Sequence, residues 1–581
     1  MKVVIVGGVA GGATCAARLR RLDEQAEIII IERTHYVSYA NCGLPYYIGG
    51  TITDRAKLTL QTPKSFRSRF NIDVRVDQEV TQINREAHEV EIRNLVTGNT
   101  YTETYDKLVL SPGAHPIMPN LSGIESSRVF TLRTVEDTFA IADFIEQTHT
   151  TSATVVGGGF IGLEMAENLV DRGMDVAVLQ RPTHLMHSLD DDIASLLHNR
   201  MREAGITLKL GADVVGFTET GDSISGGITT LFKDKGDDIG ATAQTITSDL
   251  VILAIGVAPE SNLAKAAGLD LGIKGSIKVN KHLLTSDPDI YAIGDAIETT
   301  QVVTGKSAHI ALAGPANKQG RIVADHICSI DRSFTGSLGS SIMKAFDLTV
   351  ATTGLSTKTA TASGLNFDSI IITPASHATY YPGSHAMTMK VLFERPTGRI
   401  LGAQIIGVDG VDKRIDVLAV AIKADMTAFD LTEIDLAYAP PYASAKDPVN
   451  MAGYVIENIL EGTVNQIHWD EALDRAVTDE NVVILDTRTD AEFSRGHIEN
   501  TLNPVLHIPV DSLREQMDEI PRDKQLLVHC ATGIRSYIAC RILKQNDFDC
   551  TNIAGGYNFY QALKLDRNAD AKNVGDCGLK A

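Results

Sequence analysis

Ala153-Thr154-Val155-Val156-Gly157-Gly158-Gly159-Phe160-Ile161-Gly162 decides the reading of this chain. A short β-branched run meets a G-x-G-x-x-G turn and passes into a helical stretch ending near Gly173, after which Asp175–Gln180 returns as a strand. That is a βαβ unit. Glycine at these places lets a backbone approach a pyrophosphate held at a helix N-terminus. Gly157, Gly159 and Gly162 are therefore expected to bind NADH or NADPH. The second strand ends in Gln180-Arg181, where a carboxylate would mark NAD. Gln180 suits either ribose and Arg181 suits a 2′-phosphate, so the coenzyme stays open.

The pattern also opens the chain. Lys2–Val6 reads as a strand, Gly7-Gly8-Val9-Ala10-Gly11-Gly12 as its turn, Gly11–Leu22 as a helix and Glu27–Glu32 as the returning strand. Val9 replaces the middle glycine. Glu32 nevertheless stands about twenty residues on, where a carboxylate accepts hydrogen bonds from ribose hydroxyls. Gly7, Gly12 and Glu32 are the candidates here. Asp287–Asp295 is a further strand ending in a Gly294-Asp295 turn, with a helix-like Gly320–Cys328 behind it, and belongs with the first domain. Two nucleotide sites imply two cofactors, one held tightly and accepting hydride from the other.

A chain of 581 residues has room for roughly four domains. From about Phe334 the pattern becomes α+β, with strands at Ile370–Thr373 and Thr388–Phe393 and helices at Val411–Ala424 and Met451–Leu460. Glu461–Asn465 reads as a linker. Val482–Asp486, Gln525–His529 and Ile534–Gln545 then outline a small α/β unit. The net charge of −20, without a clustered basic run, argues against nucleic acid. No apolar stretch approaches the roughly 18 residues that span a bilayer, and the N-terminus is a strand, not a signal peptide. Seven cysteines without CxxC spacing predict neither a disulfide framework nor a metal site, and fit reduced thiols in a cytoplasm.

Ser38-Tyr39-Ala40-Asn41-Cys42-Gly43-Leu44-Pro45-Tyr46 holds one cysteine with no second thiol in reach by sequence. Residues 1 to about 460 resemble the pyridine nucleotide-disulfide oxidoreductases, and Tyr291–Asp295 resembles their second FAD motif. The resemblance implies FAD, with Gly294 and Asp295 near its ribityl and phosphate region. The stretch around Cys42 resembles the single-cysteine branch of coenzyme A disulfide reductases, NADH peroxidases and NADH oxidases, not the C-x4-C branch of glutathione reductase. A lone cysteine must cycle with an external sulfur or oxygen species. A thiol of ordinary pKa about 8.5 needs help to ionise at neutral pH.

Gly7–Cys15, Tyr438-Ala439-Pro440-Pro441-Tyr442 and Tyr380-Tyr381-Pro382-Gly383 resemble the coenzyme A disulfide reductases in particular. By that resemblance Thr14, Arg18, Arg21, Ser38, Asn41, Asn317, Tyr381 and Lys446 face coenzyme A. His377 and Tyr438 then lie near the flavin, across a dimer interface. Arg18 and Arg21, one helical turn apart, can both face a phosphate. Where such proteins can carry a lysine for coenzyme A, this chain has Phe70 beside Arg69.

Val528-His529-Cys530 ends a strand and continues through Ala531-Thr532-Gly533-Ile534-Arg535-Ser536 into a helix. This C-x4-R loop resembles the rhodanese sulfurtransferases, as do Leu485-Asp486-Thr487-Arg488 and Gly496-His497-Ile498. Backbone amides and Arg535 are expected around the sulfur of Cys530, a nest that favours an anionic persulfide. Cys15, Cys328, Cys540 and Cys550 read as packing residues. Cys577, near the tail, is either adventitious or a sulfur relay.

The expected fold is α/β: an FAD domain at 1–112 and 251–328, an NAD(P) domain at 113–250, a dimerisation domain at 329–462 and a rhodanese domain at 466–566. The expected catalytic residues are Cys42, Cys530 and Arg535. The expected activity is NAD(P)H-dependent reduction of persulfide, polysulfide or coenzyme A persulfide or disulfide through Cys42 by a cytoplasmic homodimer, with Cys530 transferring sulfane sulfur. The alternatives are coenzyme A disulfide reduction with an accessory rhodanese domain, NADH peroxidase or oxidase activity, and a sulfur or redox sensor.

Overall fold

Val, Ile and Leu fill the strands of the first parallel sheet so completely that both of its faces must be covered. In the computed structural model, which describes residues 1–221, 226–236 and 242–569, these strands run Ile290–Ala292, Lys107–Leu110, Lys2–Val6, Glu27–Ile31, Asp73–Arg75 across the sheet. Every neighbouring pair is parallel. Cys577 lies outside the described residues. A second parallel sheet runs Thr207–Leu210, Asp175–Gln180, Ser152–Val156, Leu250–Leu253, Val129–Phe130. In each sheet the strand carrying the glycine turn is central, so both turns open where the strand order reverses, the usual place for a ligand.

The described chain divides into two units: Met1–Thr183 with Gly205–Gly339, and His184–Ala204 with the chain from Ser340 onward. The first holds both parallel sheets and two three-stranded antiparallel ribbons, spanning Gln78–Thr104 and Ala212–Ser248. In the second, an antiparallel sheet runs Ser341–Ala345, Leu348–Gly354, Ile400–Gly407, Met387–Glu394, Phe367–Ile372. Helix Val411–Lys423 buries Ile415, Leu418 and Ile422 in packing on that sheet. A parallel sheet follows, in the order Gln466–Ile467, Cys550–Ile553, Gln525–His529, Val482–Asp486, Leu506–His507.

Within the second unit, residues 184–204 are fastened by charge. Lys390, 5% exposed, places Nζ 2.9 Å from Asp190 and 2.8 Å from Asp192. Thr357 N–H donates to Asp190 as well, at 2.9 Å. Helix Gly556–Ala569 docks on helix Asp191–Glu203, where Asp566 takes His198 Nδ1 at 2.9 Å and Arg202 at 2.5 Å.

Helix starts are where sequence expectation and structure differ most. The helix expected from Gly320 begins at Ala313, and the one expected from Met451 begins at Pro448, where Asp447 caps it by accepting from Val449 N–H. In both cases the first turn contains proline, whose missing N–H costs nothing there.

Candidate active sites

The two glycine turns repeat each other bond for bond. Gly7 N–H donates to Ile31 and Gly157 N–H to Leu179, at 2.9 and 2.8 Å. Gly8 N–H then donates to Glu32 Oε2, and Gly158 N–H to Gln180 Oε1, each at 2.8 Å. Thus Gln180 does for the second turn what the buried Glu32 does for the first. Gly7 and Gly157 have φ of 95° and 116°, the left-handed region. A Cβ on Gly12 or Gly162 would lie 1.9 Å from the carbonyl oxygen of Gly7 or Gly157. Gly159 is different: a Cβ there would meet no protein atom within 4 Å. Protein packing does not demand that glycine. The open space before the first helical amides is the shape a pyrophosphate takes up, so these residues fit the two dinucleotides expected of them.

Cys42 sits in the 3-10 turn Asn41–Gly43, just before the short helix Leu44–Ile48. Ser38 N–H bonds Gly8 O at 2.8 Å, tying the cysteine loop to the first glycine turn, and Ala40 N–H bonds Leu58 O at 2.7 Å, tying it to the 3-10 turn Arg55–Leu58. The thiol is exposed, and no disulfide joins any described cysteine. Desolvation raises its pKa, and the carboxylates of Glu164 and Asp295 push the same way. Burial also raises Asp295, against the pull of Arg133 and His309. Glu164 itself is pushed up to about 7, by burial and then by Glu167 one turn along helix Phe160–Asp171. The protein's own groups around Cys42 therefore oppose its thiolate, and Glu164 changes charge near neutrality. Sequence reading missed Glu164; its one signal was a pair of acids, i and i+3, in a largely apolar helix.

The residues expected to face coenzyme A fall in two groups. In the first unit, Thr14 Oγ1 lies 2.6 Å from Asn317 Oδ1, so helices Ala10–Leu22 and Ala313–Ile327 bring these two together. Arg18 instead points its Nε at Asp325, 2.7 Å away and fully buried, while Arg21 and Asn41 are exposed and Ser38 is half-buried with φ 49°. In the second unit, buried His377 bonds Ser376 Oγ through Nδ1 and Pro382 O through Nε2. Its ring lies 5.9 Å from that of Tyr381. The Tyr438 and Tyr380 hydroxyls bond each other at 2.9 Å, and Lys446 is exposed. Tyr380, Tyr381, Tyr438 and Tyr442 form an exposed aromatic set, Tyr380 being 75% exposed.

Cys530, 1% exposed, ends strand Gln525–His529, and the loop turns through Gly533 at φ 107° into helix Ile534–Lys544. Its Sγ accepts from Gly533 N–H at 3.1 Å and from Ser536 Oγ at 3.5 Å. Arg535, expected to surround the sulfur, also interacts with the thiol, but its two terminal nitrogens are each 2.7 Å from a Glu492 oxygen. Glu492 further accepts from Thr489 N–H and Oγ1, and its pKa falls to about 2, mainly through Arg535. Behind the loop Arg488 grips the buried Asp486 and lies 3.7 Å over the Tyr557 ring. His529, wholly buried 3.6 Å from Asp486, is pushed down to about 4 by desolvation and stays neutral. Cys540 and Cys550 are buried and hydrogen-bonded to each other; the bond to Cys550 and burial keep the proton on Cys540. The Gly533 N–H is one of the loop amides expected there, whereas the Ser536 hydroxyl and Glu492 were not expected from sequence. Glu492 was hidden because it lies in another part of the chain.

Comparison with known proteins matches residues 1–320 to the pyridine nucleotide-disulphide oxidoreductases, 340–448 to their dimerisation domain and 470–563 to the rhodanese-like domain. The coenzyme A disulfide reductase of Staphylococcus epidermidis is 38% identical over 454 residues, 78% of this chain and 99% of that protein. Among solved structures, the reduced CoADR-RHD of Bacillus anthracis shares 45% identity at a TM-score of 0.92, covering 97% of this chain and 98% of that one. The NAD-dependent persulfide reductase of A. fulgidus shares 36% identity at a TM-score of 0.88, covering 96% and 100%.

Proposed function

The chain belongs to the pyridine nucleotide-disulphide oxidoreductase family, and from that premise we propose that it reduces sulfur–sulfur bonds of persulfides, through Cys42, at the expense of NADH or NADPH. FAD, cradled by Gly7, Gly12, Glu32 and Asp295, supplies when bound the two-electron chemistry that links the nicotinamide to sulfur. Cys42 does the sulfur chemistry. Its thiolate attacks the carbon-bearing sulfur of a persulfide RSSH, the S–S bond breaks, and HS⁻ leaves. The resulting Cys42 mixed disulfide with RS takes up two electrons and a proton, restoring the thiolate and releasing RSH. Coenzyme A is the thiol that Thr14, Arg18, Arg21, Ser38, Asn41, Asn317, Tyr381 and Lys446 serve. Cys530 accepts or delivers sulfane sulfur, assisted by Gly533, Ser536 and Arg535.

One observation carries this reading: an exposed, unpaired Cys42 shares its chain with a complete sulfur-binding loop at Cys530. Fusion raises the effective concentration of one thiol near the other. The match of residues 340–448 to a dimerisation domain supports a homodimer, and the exposed tyrosines of that region, with His377, are its contact toward the partner's flavin. We place its action in the cytoplasm, where reduced nicotinamide coenzymes are made. Among the described residues no helix is long and apolar enough to cross a membrane.

A second reading, reduction of coenzyme A disulfide with an accessory rhodanese domain, draws on the Staphylococcus relative, which aligns with 78% of this chain. Steady-state oxidation of NADH with coenzyme A persulfide and with coenzyme A disulfide separates them. The persulfide should have the higher kcat/KM. A clear preference for the disulfide selects the second reading.

A further inference from the structure

Both Arg535 of the Cys530 loop and Arg488 behind it are paired with carboxylates. Arg488 is bound to the buried Asp486, and Arg535 lays two N–H groups on Glu492 at 2.7 Å in the two-pronged geometry that makes such pairs strong. Glu492 is itself immobile, because the Thr489 backbone and hydroxyl hold one of its oxygens at 3.0 and 2.9 Å. The Arg535–Glu492 pair adds no net charge at the mouth of the loop. The donors at the sulfur are Gly533 N–H and the Ser536 hydroxyl, both uncharged, beside an Arg535 whose charge Glu492 already balances. These suit the single terminal sulfur of a persulfide. They do not suit a compact dianion, which would sit beside a fixed carboxylate.

We propose that Glu492 is a specificity-determining positioning residue, which by engaging Arg535 restricts the sulfur donors of Cys530 to persulfides, whose reacting end carries at most one negative charge, and disfavours compact dianionic donors such as thiosulfate. This rests on the reading of Cys530 as a sulfane-sulfur acceptor. With a persulfide, the Cys530 thiolate attacks the outer sulfur of RSSH; the S–S bond breaks, Cys530–S–S⁻ forms, and RS⁻ leaves with the bonding pair, taking the proton of RSSH to become RSH. With thiosulfate the same attack forms Cys530–S–S⁻ and expels sulfite with the bonding pair.

The test uses the full-length protein without nicotinamide coenzyme and follows loading of Cys530 by rapid quench, alkylation and peptide mass spectrometry. The donors are 2-mercaptoethanol persulfide and thiosulfate. The wild type should load from the persulfide at least about tenfold faster, and Glu492→Gln should shift the thiosulfate-to-persulfide ratio upward by about tenfold, the shift shrinking at high salt. Glu492→Asp should keep the wild-type ratio. A residue that merely props the loop would slow both donors together and leave the ratio alone. Equal loading of the wild type from both donors overturns the proposal, whatever the variants do, and so does an unchanged ratio in a folded Glu492→Gln protein. Failure of the wild type to load from either donor sinks instead the reading of Cys530 on which the proposal stands.

Discussion

Cys42 works against its surroundings, since desolvation, Glu164 and Asp295 all raise its pKa. The sensitive neighbour is Glu164, raised from 4.5 to about 7. Because its folded pKa lies above the unfolded one, its contribution to stability is complete below the unfolded value and lost as pH rises through about 7. Over the same window the new negative charge presses on Cys42. Glu164→Gln should therefore lower the Cys42 thiol pKa, seen as faster iodoacetamide alkylation above neutral pH, and flatten the fall in stability between about pH 5 and 8. An unchanged alkylation profile contradicts this. At this scale the sequence displayed whatever is contiguous: Cys42 in its loop, Cys530 and Arg535 in theirs. It hid what folding brings together from afar, such as Glu492 on Arg535 43 positions away and Glu164 near Cys42.

The glycine turns divide into positions that the fold requires and one that a ligand requires. Gly12→Ala puts a methyl 1.9 Å from a backbone oxygen that cannot swing aside, and should cost more than about 3 kcal/mol, read by chemical denaturation, with loss of bound FAD. Gly159→Ala meets open space at a φ of −90°, so thermal stability should hold while the KM for NADH rises. If Gly159→Ala unfolds the protein, or leaves the KM as it was, the assignment of that space to the coenzyme fails. The central strands were legible because they are apolar on both faces. The antiparallel ribbons were not: Thr100–Thr104, with no buried residue, carries no apolar alternation to read.

Across the whole molecule, an oxidoreductase part and a rhodanese-like part share one chain, and residues 184–204 belong with the second unit although the strands flanking them belong to the first. Lys390, with Asp190 and Asp192, fastens that segment to its unit. Lys390→Ala leaves two carboxylates without their cation and should cost about 3–5 kcal/mol in urea unfolding, a penalty absent if the cluster were solvated. No local pattern announced this, since the lysine and the acids are some two hundred positions apart. Function in this protein turns on Cys42 exchanging sulfur with molecules outside the chain. The direct measurement is peptide mass spectrometry of the full-length protein after treatment with coenzyme A persulfide, without reduced nicotinamide. Cys42 should be recovered as a mixed disulfide with coenzyme A; recovery of Cys42 unmodified, or joined to another cysteine of its own chain, would contradict the account.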